Sequence, residues 1–183
     1  MVRDGSLKHS NDELRRISEH LSYEIMMLFG TAWILAASRI KDMPVEAERS
    51  TVHNALIESF AIHARVLLDF LYEMERKQND AIACDFFDKD SIWRTACPPK
   101  SGSLAQVHGR VGKEVAHLSY ARINVSEEMK TWRYIELARE IRATLNVFVD
   151  MVPAQRIDQT LLNILKVFEF QEQYVEGSRL QGN

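Results

Sequence analysis

Apolar side chains recur at Leu14, Ile17, Leu21, Ile25, Leu28, Ala32 and Leu35, three or four residues apart, which is the period of one face of an α-helix and not of a strand. Ser10 followed by Glu13 forms a capping box ahead of this run. Met43-Pro44 stops it, because the residue before a proline is driven out of helical dihedrals. A first helix is therefore expected up to about Lys41. A second is expected from about Val45 to Arg76, with Leu56, Phe60, Leu67, Phe70 and Met74 on one face and Asn54, Glu58, Arg65, Asp69 and Arg76 opposite. Two long helices joined by a short connection make an antiparallel hairpin.

Between Gln78 and Gly102 the period is lost among Asn79, Asp80, Asp85, Asp88, Asp90 and Pro98-Pro99, while Phe86, Phe87, Ile92 and Trp93 persist. A long loop packed onto the body is the expectation for about 78–102. Its aspartates lack the Asp-x-Asp-x-Asp-Gly ladder of a calcium site and read as turn and cap residues. Ser103 with Gln106 forms a second capping box, opening a third helix with Leu104, Val107, Val111, Val115 and Leu118 as its core stripe. Ser126 opens a fourth, with Trp132, Ile135, Ala138, Ile141, Leu145, Phe148 and Val152 inward and Pro153 as its stop. A fifth spans roughly Ala154 to Phe170, and the tail after about Glu176 frays. The expected architecture is a single all-α domain over residues 1–183, a four-to-five helix up-and-down bundle.

Composition agrees, since seven glycines and four prolines in 183 residues are too few for a turn-rich all-β fold. A formal charge of −3 exerts no overall pull toward nucleic acid or an acidic membrane. Cys84 and Cys97 lack the CxxC spacing of a zinc site and make no disulfide framework, which points to a reduced cytoplasm. The polar amino terminus carries no secretory signal, and the apolar run Ile25 to Ala37 is shorter than the ~20 residues of a membrane span. No membrane partner and no cofactor are expected.

The stretch of densest chemistry is Arg110-Val-Gly-Lys-Glu114-Val-Ala-His117. On a helix, seven residues return to within ~20° of the starting direction, so Arg110, Glu114 and His117 share one stripe. Arg3 with His9 and Arg15 with His20 satisfy the same arginine-to-histidine spacing, so it is the position after the long loop that singles out Arg110 and His117. An arginine followed by four to six residues and a histidine resembles the signature of HEPN-like proteins, all-helical chains that include metal-independent ribonucleases of defence and toxin systems. The resemblance implies a homodimer with two motifs meeting at its interface, RNA as substrate, His117 as acid and base, and Arg110 stabilising charge on phosphorus. Val111 stands where that family usually carries a polar residue.

Glu114 and His117 also spell the Glu-x-x-His half-site of ferritin-like bundles, but no second copy exists, so no metal centre is expected. His63 falls among Leu56, Phe60, Leu67 and Phe70, and is expected either as a core histidine satisfied by a carbonyl or carboxylate or as a group facing His117. His20 and Glu24, one turn apart, are expected to pair locally, and Glu58, Arg65 and Asp69 to form a charged face. Arg122, Lys130, Arg133, Arg139 and Arg142 near Tyr134 could meet phosphates, though Glu136 and Glu140 make the stretch a mixed-charge face. No phosphate loop, GxSxG elbow or Cys-His nucleophile pair is present.

Glu58-Ser-Phe-Ala-Ile-His63-Ala-Arg65, Asp85-Phe-Phe, Trp93 and Lys113-Glu-Val-Ala-His117-Leu-Ser-Tyr120-Ala-Arg122 together resemble a family of small bacterial helical proteins. That likeness brings no activity with it and singles out His63, Arg65, His117 and Arg122; beside the catalytic candidates Arg110, Glu114 and His117, the expected supporting residues are His63, Arg65, Tyr120 and Arg122. A homodimer is also expected from Met26, Met27, Phe29, Trp33 and Ile34, which spread apolar surface around most of the first helix. Two readings follow: a HEPN-like protein with RNA-binding or ribonuclease activity, or a non-enzymatic helical module that binds a protein or a small ligand.

Overall fold

The computed structural model describes residues 9–37, 39–75, 79–111, 120, 123 and 132–168, and among these every regular element is helical. The fold is all-α, as the apolar period requires. Helix α1 (Asn11–Ala36) begins with the expected capping box, in which the Ser10 hydroxyl accepts the Glu13 N–H at 3.2 Å and the Glu13 carboxylate accepts the Ser10 N–H at 2.8 Å. It ends before the expected Lys41, because a 3₁₀ turn at Arg39–Asp42 brings Ile40 into the core.

Helix α2 (Glu46–Tyr72) stops short of Arg76. The Trp93 indole N–H donates to the Leu71 carbonyl at 2.8 Å, the acceptor that a further turn of α2 would have used. The chain leaves the helix at Glu73 with extended dihedrals. Ile17 and Leu21 of α1 line one groove with Phe70 and Val66 of α2, while Glu24 meets His63, so the numbering runs in opposite senses and the pair is the expected antiparallel hairpin.

The expected loop over 78–102 is more regular than its sequence suggests. It contains a 3₁₀ turn at Ala83–Phe86 and helix α3 (Asp90–Ala96), too short to register as a period. Phe86, Phe87 and Trp93 are buried and, with Phe70, surround Phe148 at ring-centroid separations of 5.2–5.9 Å, mostly edge-on.

Helix α4 (Gly102–Arg110) is capped by Ser101, not by Ser103. The Ser101 hydroxyl accepts the Leu104 N–H at 3.1 Å and itself donates to the Glu140 carboxylate, which fixes the start of α4 against the next long helix. Helix α5 (Tyr134–Met151) starts afresh: Arg133 has ψ 66°, so no helix runs continuously from Ser126 through this point. Trp132 is buried ahead of the first turn, and Ala138, Ile141, Leu145 and Phe148 form the inward face as expected. A 3₁₀ turn at Ala154–Arg156 separates α5 from helix α6 (159–168). Asp158 opens α6, its carboxylate accepting the Thr160 N–H at 2.8 Å. A side-chain hydrogen bond with Thr160, together with that backbone bond, holds the Asp158 carboxyl below its usual range.

Of the apolar belt of α1, Phe29 and Ile34 are used inside the chain, and Met27 and Trp33 are half-buried. Phe29 is buried and stacks on Phe168 of α6 with centroids 4.8 Å apart, and Ile34 packs on the core. Met26 remains exposed. Among the described residues, no helix is long and apolar enough to cross a membrane.

Candidate functional site

Of the residues expected to carry chemistry, Glu114, His117 and Arg122 lie outside the described residues. Arg110 ends α4 and is half-buried, its guanidinium lying over the Trp132 ring at 3.9 Å. That indole is itself buried and meets Phe60 edge-on at 6.1 Å. Arg110 thus covers an aromatic side chain that belongs to the core. Burial pushes the nearby Tyr134 phenol above its ordinary range, and the Arg110 charge partly opposes the shift. Tyr120 is almost wholly exposed. Arg65 pairs with Asp69 at 3.7 Å across one turn of α2, as its spacing requires.

His63 is satisfied by a carboxylate from another helix. Its Nδ1 lies 2.6 Å from Glu24 Oε2, and Tyr23 meets the imidazole edge-on at 5.7 Å. A carboxylate can only accept, so Nδ1 carries the proton and donates. This differs from the expected local pairing of Glu24 with His20: Glu24 reaches across to α2, and His20 lines the adjoining groove. The His63 and Glu24 side chains retain only 13% and 23% of their accessible surface. The partnership was hidden because the two residues are 39 positions apart in different helices.

Next to this pair the seam between α1 and α2 opens into a groove of about 340 Å³. Leu21, Phe70 and Ile82 form its buried floor, and Ile17 and Val66 its more exposed walls. Among the described residues that line it are Glu24, Asp69, Glu73, Glu75 and Asp80. Glu24 lines it beside the contact with His63, and Asp80, Ala81 and Ile82 line it from the segment that follows α2. Sequence periodicity identified Leu21 and Phe70 as core positions but gave no sign that the seam between them stays open.

Away from the groove, a buried arginine ties distant parts of the chain together. Arg156, 4% exposed, donates from Nε to Asn11 Oδ1 at 3.1 Å, from one terminal nitrogen to the Phe86 carbonyl at 2.9 Å, and from the other to Asp88 at 2.6 Å. One guanidinium thereby joins the start of α1, the segment that carries Ile82 and Phe86, and the turn before α6. Among the described residues, no group of three or more His, Cys, Asp or Glu side chains is gathered as a metal site. Comparison with protein-family models, with curated proteins and with solved structures gives no match.

Proposed function

We propose that this chain is a non-enzymatic helical binding module whose site is the groove between α1 and α2. One observation supports the reading: a cavity of about 340 Å³ combines an apolar floor with several polar residues, one of which, Glu24, is held by His63 of the facing helix. Ligand pockets run from ~300 Å³ upward and share that mixture of apolar lining and a few placed polar groups. This groove suits a small molecule of one ring or one short chain. The test is a fragment panel titrated into the isotope-labelled protein. Shifts concentrated at Leu21, Val66, Phe70 and Ile82 support the reading, and their absence while other regions respond removes it.

A second reading rests on Arg110. A guanidinium held over an indole has lost much of its freedom, and a positioned cation of this kind is what phosphate recognition at the edge of the group needs. On this reading the chain is a HEPN-like cytoplasmic protein, homodimeric, with ribonuclease activity in a bacterial defence or toxin setting. The RNA 2′-hydroxyl attacks phosphorus, His117 moves protons with Glu114 beside it, and Arg110 offsets the developing charge. RNA cleavage by the purified protein, abolished in folded His117→Ala and Arg110→Ala, is the expected result. Cleavage that survives both substitutions removes the reading.

A further inference from the structure

We infer that Cys84, Cys97 and Met74 form a binding site for one soft monovalent metal ion, copper(I) or silver(I). Three separate elements carry these sulfurs to one place. Met74 follows the end of α2, Cys84 stands in the 3₁₀ turn Ala83–Phe86, and Cys97 follows the last residue of α3. Helix α3 packs on that turn and is tied to the foot of α2 twice. The Trp93 indole donates to the Leu71 carbonyl at 2.8 Å, and the Arg94 guanidinium donates to the Met74 carbonyl at 2.5 Å. As a result Cys84 Sγ lies 4.0 Å from Met74 Sδ, and Cys97 Sγ lies 3.7 Å from the Leu71 carbonyl oxygen on the same foot of α2. Burial raises the Cys97 thiol and the neighbouring Cys84 raises it further, which puts the two cysteine sulfurs within electrostatic reach of each other.

The donor set selects the metal. Thiolate and thioether sulfurs are soft ligands that favour copper(I), and a thioether is not among the groups that hold zinc. Zinc takes four donors from His, Cys, Asp and Glu, and the described residues gather no three of these side chains in one place. A soft monovalent ion is satisfied by two or three sulfurs. With metal–sulfur bonds of ~2.3 Å at trigonal angles, two ligand sulfurs stand about 4 Å apart. The Cys84–Met74 spacing of 4.0 Å therefore takes an ion without rearrangement. Each thiol hydrogen passes to solvent as its sulfur meets the metal. Little holds the Cys84 hydrogen in place, because its other acceptor, the Asp90 carbonyl, is 3.8 Å away. Cys84 is buried, whereas Cys97 and Met74 are half-buried, so the ion enters from their side.

The experiment is calorimetric titration of the reduced full chain with silver nitrate in chloride-free buffer, repeated with copper(I) under argon and with zinc sulfate. A single silver or copper(I) ion is expected for each chain, and the X-ray absorption spectrum of the copper(I) form should show sulfur neighbours alone. Zinc should bind at least about a hundredfold more weakly, because the site offers it too few donors. Met74→Leu, a swap of similar volume, should weaken copper(I) binding about tenfold and remove one sulfur from the absorption spectrum. Cys84→Ala and Cys97→Ala should each weaken it about a hundredfold. Helical dichroism shows which variants fold, and Met74→Leu and Cys97→Ala, at half-buried positions, carry the comparison if the buried Cys84→Ala does not. Absence of binding, unchanged affinity in Met74→Leu or Cys97→Ala, one ion shared between two chains, or zinc held as tightly as copper(I) each overturns the assignment.

Discussion

Arg156→Ala isolates what one buried guanidinium contributes to the fold. The side chain is 4% exposed and makes three hydrogen bonds to groups far apart in the chain. Its removal strands the Phe86 carbonyl in a buried place, which costs about 1–3 kcal/mol. It also leaves a void that the surrounding turns close only in part, adding roughly 1 kcal/mol or more. Asp88 is 65% exposed and regains water, so little is lost on its side. The expected destabilisation is therefore about 3 kcal/mol. For a chain of this length each kcal/mol lowers the melting temperature by about 2–4 °C, so a fall of roughly 6–12 °C is expected by calorimetry. Arg156→Lys should recover less than half of it, because an ammonium cannot reach three acceptors set in a plane. Urea unfolding of the same variants should show a lower midpoint with an unchanged slope. A loss below about 0.5 kcal/mol in Arg156→Ala would mean that the three bonds are replaced by water at no cost and that the guanidinium anchors nothing.

A double-mutant cycle on Glu24→Gln and His63→Ala should give a coupling of about 1–2 kcal/mol in urea unfolding, as for a mostly buried hydrogen bond to a charged group, and a coupling near zero would deny the pair a structural role. Phe148→Ala should cost about 3–5 kcal/mol, because the ring sits at the centre of Phe70, Phe86, Phe87 and Trp93, and the accompanying loss of near-ultraviolet dichroism would report the same cluster. Burial pushes the Cys97 thiol from 9.0 up to about 11, with proximity to Cys84 adding to the shift. A raised thiol pKa means less thiolate, so near pH 8 iodoacetamide should modify Cys97 roughly a hundredfold more slowly in the folded protein than in urea, the gap closing as pH approaches 11.

Long-period elements were legible in the sequence, and short-range competition was not. The runs from Leu14 to Leu35 and from Ala138 to Phe148 gave α1 and α5 their inward faces, because many repeats of one period average out local exceptions. Helix ends were misplaced where a distant group decided them. The Trp93 indole ends α2 from 22 residues away, and Ser101 displaces Ser103 as the cap of α4 because its hydroxyl can also reach Glu140. Helix α3 escaped notice because seven residues hold barely two turns of pattern. At the candidate site, His63 was legible as a polar residue on an apolar face that needed a carboxylate or carbonyl, but its partner Glu24 depends on the register of α1 against α2. That register is set by packing of the whole hairpin and by no local motif.

The groove itself follows from these long-range choices. Because Trp93 takes the Leu71 carbonyl, α2 stops at Tyr72 and the chain turns away at Glu73 before it has covered the first turns of α1. Without another helical turn to extend it, Phe70 is left facing Ile17 and Leu21 across an open seam. Among the described residues of the returning segment, Asp80, Ala81 and Ile82 line that seam, and the Ile82 N–H donates to the Asp85 carboxylate at 3.1 Å. Farther along the seam, Glu24 is held by its hydrogen bond with His63. Two separate contacts thus shape the hairpin beside the groove, the Trp93 bond at the end of α2 and the Glu24–His63 bond between the helices. The second of them orients the Glu24 carboxylate in advance, so that little freedom is lost when a ligand meets it, which is the property a small binding site needs.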